Sequence, residues 1–305
     1  MKKNGPKNVS ASVHQRLLNK AKAENRPFNE LLQYYAMERF LFRLSLSEHK
    51  DKFILKGAMM FRAWNVSINR PTKDIDFLGI TDNEISNIVD LLKNVCRVSI
   101  DPDGLSFDME SFSGEVIKED ADYEGARITF IGYLDTARVN MQIDVGFNDF
   151  VSPKPEMISL PSILDFPSPT INCYSRESVI AEKLEAMIKL GELNSRMKDF
   201  YDIFILSKSF SFEGEKLARA IKATFERRST QIPKDNPLAL SDEFVNSTDK
   251  IHQWKAFKNR NNLKDFSIDF SQLIKALGEF LLEPLQAAAS SESFNSKWVD
   301  NKHWK

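Results

Sequence analysis

From Val139 to Gly146 the chain alternates without a break. Val139, Met141, Ile143 and Val145 are apolar, while Asn140, Gln142, Asp144 and Gly146 fall between them. A period of two belongs to a strand with one face on a core and the other turned away from it. Lys73-Asp74-Ile75-Asp76-Phe77 repeats the pattern, with Asp74 and Asp76 on one side and Ile75 and Phe77 on the other. The chain therefore needs a sheet that carries carboxylates on its polar face. Two neighbouring carboxylates repel unless a proton or a cation occupies the gap, and hard divalent cations prefer oxygen ligands. Asp74 and Asp76 are thus candidate metal ligands, with Asp144 as a third carboxylate from a neighbouring strand. Three such groups suit phosphoryl or nucleotidyl transfer, two of them for metal and one for the nucleophile's proton. The bland reading of each is a solvated strand residue.

The 305 residues suffice for one large or two ordinary domains. A net charge of −1 gives no global attraction for nucleic acid, so any such partner needs a local patch. Cys96 and Cys173 lack C-x-x-C spacing and fit reduced structural thiols. His14, His49, His252 and His303 show no ligand spacing, which argues against zinc. Met1 to Lys7 lacks an apolar run, so no secretory signal is expected, and no stretch approaches a membrane span. A soluble cytoplasmic protein with no membrane partner is the expectation.

Residues 1–50 read as a helical segment packed on a core at 51–152. In that core the expected elements are a short strand from Phe53, a turn at Lys56-Gly57-Ala58, a helix over Met59–Trp64, the D-x-D strand, a helix from about Asp82 and further strands to 147. Prolines 153, 155, 161, 167 and 169 suggest a linker over 153–170. Residues 171–305 read as a helical C-terminal domain, with helices from Ser175 to Leu190, about 195–207, 214–228, 241–260 and 268–289. In the tail Trp298 and Trp304 are the anchors.

The Gly57 turn, between a strand and a helix start, gathers backbone N–H groups suited to a phosphate. No G-x-x-x-x-G-K-[ST] occurs, so it is not a Walker A loop. Lys183 lies mid-helix, and Arg196, Asp199 and Asp202 share one face of the next helix, as expected for a site between the two domains. Trp254-Lys255-Ala256-Phe257-Lys258-Asn259-Arg260 is either an RNA contact or a solvated helix face.

Leu55-Lys56-Gly57-Ala58, then Arg70, then Thr72-Lys73-Asp74-Ile75-Asp76-Phe77 resembles the G-[GS]…R-x-[ST]-x-D-x-D signature of nucleotidyltransferases, and more specifically the AbiEii/AbiGii toxin family. Glu182-Lys183-Leu184-Glu185-Ala186 with Asn194 to Asp202 is similar to that family's second pair of motifs. The resemblance runs from about residue 10 to at least 210. It implies an α/β (α+β) fold: a mixed nucleotidyltransferase-type sheet flanked by helices and joined to a helical C-terminal domain. It further implies a toxin held in check by a cognate antitoxin, using Mg²⁺ (or Mn²⁺) and an NTP as substrate. For some relatives the acceptor is the 3′ end of tRNA.

Carried over by position, Asp74 and Asp76 would bind metal, Gly57 and Lys183 would contact the nucleotide phosphates, and Asp199 would be the catalytic acidic residue of the last motif. The candidate set adds Asp144 as a metal ligand, counts Asp74, Asp76, Asp144, Asp199 and Lys183 as catalytic, and adds Ala58, Arg70, Thr72, Lys73 and Asp202 as nucleotide contacts, Arg70 either steering phosphate or bracing the loop. Asp144 and Asp199 both stand as general-base candidates. Ala58 departs from the Gly or Ser of the signature, and Met59 stands where Thr is common, so a hydroxyl contact to phosphate is lost. Two rival readings are transfer to a protein, of a nucleotidyl or a phosphoryl group, and a non-catalytic nucleotide- or RNA-binding module.

Overall fold

The computed structural model describes residues 8–66, 70–120, 123–147, 151–263, 265–290, 292–299 and 303–305. The first seven residues, on which the reading of the chain's start rests, lie outside them. The chain divides into two compact units. The first comprises residues up to 67, 71–148 and 156–173, and the second 68–70, 149–155 and 174–305.

In the first unit α1 (Val9–Ala23) and α2 (Phe28–Leu46) precede β1 (Phe53–Lys56), α3 (Met59–Ala63), β2 (Ile75–Gly79) and α4 (Ile85–Cys96). Then come β3 (Leu105–Asp120), β4 (Tyr123–Leu134), β5 (Ala137–Gly146), β6 (Glu156–Ser159) and β7 (Thr170–Cys173). All seven strands form one mixed sheet in the order β3-β4-β5-β2-β1-β7-β6. β2 runs parallel to β5 and β1 parallel to β7, and the other pairings are antiparallel. This is the α/β architecture expected from the sequence.

The stretch 153–170 is not simply a linker. Glu156 to Ser159 pairs with Thr170 to Cys173, and Leu55 pairs with Cys173, so the Pro-rich segment adds two strands to the sheet. Its prolines all lie outside β6 and β7, where no ladder hydrogen bond is demanded of them.

The apolar half of the alternation packs as its period requires. Ile75, Phe77, Ile143 and Val145 are fully buried with Leu41, Leu44, Ile88 and Leu92 from α2 and α4. α2 is buried on most of its surface, and its few polar side chains are consequently paired. Arg43 donates two hydrogen bonds to Asp103, and Glu38 accepts from Ser162 and from the Ile163 amide. The same helix fixes the segment ahead of β2. The Tyr34 hydroxyl accepts from the Thr72 amide, and Gln33 donates to the carbonyls of Lys73 and Asn140.

The second unit holds α5 (Arg176–Leu190), α6 (Met197–Ser209), β8 (Phe212–Glu213), α7 (Gly214–Arg227), α8 (Asp242–Asn246), α9 (Thr248–Arg260), α10 (Phe270–Ser290), β9 (Lys297–Val299) and β10 (His303–Trp304). The helix expected over 241–260 is two helices, because Ser247 is extended at ψ 121°. The tail forms β9 and β10, in a small sheet of order β10-β9-β8. Trp298 is buried there and donates to the Ser207 carbonyl, while Trp304 donates to that of Phe280. Trp254 is buried against Phe257, Phe266 and Phe270, so it is no platform for an RNA base. Cys96 and Cys173 are both buried free thiols; burial pushes Cys173 up to about 12. Among the described residues no helix is long and apolar enough to cross a membrane.

Candidate active site

Two strand registers build the carboxylate site. Asp74 immediately precedes β2 and Asp76 lies two residues on, so both project from the same side. Parallel pairing sets Asp76 opposite Asp144 of β5. The ligand oxygens of Asp74, Asp76 and Asp144 all lie within 4.8 Å of one another. Thr72 donates its hydroxyl to Asp74, which gives it a second role beside the expected nucleotide contact.

Asp144 is held on both oxygens. Arg127, its partner across β4 and β5, donates from Nε at 2.9 Å and Nη2 at 2.8 Å, a two-pronged pairing. The Gln142 amide nitrogen lies 3.2 Å from each oxygen. The hydrogen bond to Asp144 raises the Arg127 pKa above the ordinary arginine value. Three oxygen donors this close, with no nitrogen or sulfur among them, fit a hard divalent cation. Neither Arg127 nor Gln142 belongs to the sequence-derived set.

Gly57 ends β1 at φ +72°, a conformation that favours glycine, and a Cβ there would lie 1.8 Å from Asp76 Oδ2. The backbone turn therefore rests directly on a site carboxylate. Ala58 follows with helical φ and ψ and begins α3. Lys56 is the Cα partner of Asp76, which puts both side chains on one face of the sheet, and it is buried. Its Nζ lies 3.2 Å from where a Gly146 Cβ would stand. A lysine closing an otherwise apolar strand was the signal for this residue, read in the sequence only as part of a motif. Lys73 is exposed and lines a cavity beside β5.

The second unit carries its own charged cluster. Lys183 on α5 lies 2.8 Å from Asp199 and 2.9 Å from Asp202, both on α6 and both fully buried. Arg196 donates to the other Asp199 oxygen at 2.7 Å. Arg70 grips Asp202 with two hydrogen bonds of 2.9 and 2.6 Å. Asp202, expected to contact the nucleotide, instead has its oxygens occupied by Arg70 and Lys183, and Arg70 in turn is a brace. Burial alone would raise both aspartates, but Lys183 with Arg196 holds Asp199 down to about 2, and Lys183 with Arg70 holds Asp202 below the usual carboxylate range. Burial would lower Lys183, and the two carboxylates reverse that. Three cations face two anions, so the cluster keeps a positive surplus, with Arg196 its most exposed member.

The fold is similar to that of JHP933 from Helicobacter pylori, with a TM-score of 0.49 and 15% identity over 86% of this chain and 92% of that one. It is likewise similar to a candidate nucleotidyltransferase of H. pylori, at a TM-score of 0.47 and 15% identity over 86% of this chain and 95% of the other. No curated protein sequence matches the chain. The family described as nucleotidyl transferase AbiEii toxin, of type IV toxin–antitoxin systems, matches residues 39–282, a span containing every residue of both clusters. The chain belongs to the AbiEii nucleotidyl transferase toxin family.

Proposed function

We infer that the protein transfers a nucleoside monophosphate from an NTP to an acceptor hydroxyl, and that it does so as a toxin restrained by a cognate antitoxin. The convergence of Asp74, Asp76 and Asp144 carries this reading. These residues would hold Mg²⁺ or Mn²⁺, which when bound polarises phosphoryl oxygens and eases ionisation of the attacking hydroxyl. Gly57 keeps the Asp76 carboxylate against backbone, and the amides of the turn meet the triphosphate without the hydroxyl that Ala58 lacks. Asp199, held down to about 2, is too weak a base to collect a proton near neutrality and serves to fix Lys183. Asp144 receives the proton of the acceptor hydroxyl as that oxygen bonds to the α-phosphorus and pyrophosphate leaves, and Arg127 fixes the carboxylate's orientation.

The protein is tested by incubation with total RNA and each of the four α-labelled NTPs, alongside γ-labelled controls. The reading expects acceptor labelled from the α position only, and no label with Asp74→Ala or Asp76→Ala. Label arriving from the γ position would make the protein a phosphotransferase. Undiminished toxicity of both variants would exclude catalysis as its basis.

A further inference from the structure

The carboxylate face of the sheet holds a buried lysine. Lys56, at the end of β1, is 7% exposed and is the Cα partner of Asp76. Asp76 pairs with Asp144, and Asp144 with Arg127. Directly opposed residues share a face, so the four side chains form one row across β1-β2-β5-β4. The row reads cation, anion, anion, cation.

The ammonium has a defined place along that face. Lys56 supplies the two atoms nearest to where a Gly146 Cβ would stand, Nζ at 3.2 Å and Cε at 3.8 Å. Gly146 is opposite Gly125, so two missing side chains leave room for the amine. Gly146 stands two residues beyond Asp144, whereas Asp74 stands two residues ahead of Asp76. β2 and β5 are parallel, so Lys56 flanks one end of the Asp76–Asp144 pair and Asp74 the other.

We propose that Lys56 is a resident counter-cation of the carboxylate site. It occupies the flank of Asp76 and Asp144 away from Asp74 and limits the nucleotide-free protein to one divalent cation, held on the Asp74 side. The inference rests on the metal-binding reading above and adds the number of ions and the residue that sets it. Burying an ammonium is costly unless anions face it, and the two aspartates of the row supply them. Against three carboxylates, Lys56 and Arg127 leave a single net negative charge. One divalent cation over-balances it, and a second is repelled until phosphates arrive. Arg127 plays a different part, because its fork orients Asp144, whereas an ammonium acts as a point charge.

The test titrates the full, nucleotide-free chain with Mn²⁺ and counts bound ions by calorimetry and by the paramagnetic signal of the free ion. The parent is expected to bind one Mn²⁺. Lys56→Met, which keeps the stem without the charge, should bind the first ion at least about tenfold more tightly and take up a second. Lys56→Arg restores the charge and should return the count to one. Gly146→Ala crowds the amine and should tighten binding in the same direction. Two ions on the parent or on Lys56→Arg, or a single ion on Lys56→Met, would overturn the proposal. Weaker binding by Lys56→Met would do the same and make Lys56 a prop for Asp76. Where Lys56→Met does not fold, parent-like affinity in Gly146→Ala decides against the proposal. No Mn²⁺ on the parent would instead remove the metal reading itself, which Asp74→Ala and Asp76→Ala test independently.

Discussion

Gly57 and Asp76 occupy space that admits no side chain between them: a Cβ at residue 57 would fall 1.8 Å from Asp76 Oδ2. Antiparallel pairing of Lys56 with Asp76 produces this contact, since it carries the next residue over the carboxylate. Glycine is needed twice here, for its positive φ and for the close approach.

Gly57→Ala should therefore injure the site more than the fold. The left-handed backbone costs an alanine about 1–2 kcal/mol, visible as a lowered unfolding midpoint. The displaced Asp76 carboxylate should abolish divalent-cation binding, measured by calorimetry with Mn²⁺. Retained binding at parent affinity would show that Asp76 is not a ligand.

Much of this site was legible because its parts are local. The alternation of 139–146, the D-x-D and the glycine turn each follow from a few consecutive residues. Parallel pairing of β2 with β5 is not local, so nothing in the sequence set Asp76 against Asp144 rather than one residue away. Arg127 was within reach. The two-residue turn Asp135-Thr136, with Asp135 at φ 55°, fixes the β4–β5 register, and counting back from it brings Arg127 opposite Asp144. The pairing of Asp202 with Arg70 was not legible, because the two are distant in sequence and belong to different motifs. β6 and β7 were obscured by surrounding prolines, and β8 and β10 by having two residues each.

Arg127 and Asp144 make a second prediction. The two-pronged pairing fixes the carboxylate's orientation, as outer-shell partners of metal ligands do. Arg127→Ala should lower Mn²⁺ affinity by about 10–100-fold with little change in folding. Arg127→Lys keeps the charge but loses the fork, and should recover only part of it. Tighter Mn²⁺ binding by Arg127→Ala would mean that the guanidinium competes for the site.

The tail offers a test confined to the second unit. Trp298 is buried, donates to Ser207 and packs on Phe280 and Trp304. Trp298→Ala should cost about 3–5 kcal/mol and release β9 and β10, seen as faster amide exchange over 297–299 and 303–304. Parent-like exchange there would show that the short sheet stands without its central side chain.

Acid should loosen the charged cluster of the second unit, and the sign follows from Asp199. Its pKa falls from an ordinary 3.8 to about 2 on folding, so its pairing contributes stability that is complete above the unfolded value. That contribution, about 2 kcal/mol, is lost as pH drops from about 4 through 2. Asp202 is shifted in the same direction and adds to the slope. Unfolding midpoints measured across this range should fall steeply, and Asp199→Asn should flatten the profile while lowering the plateau near neutrality, because Arg196 and Lys183 then lose a buried anion. An unchanged acid slope in that variant would place the titration elsewhere.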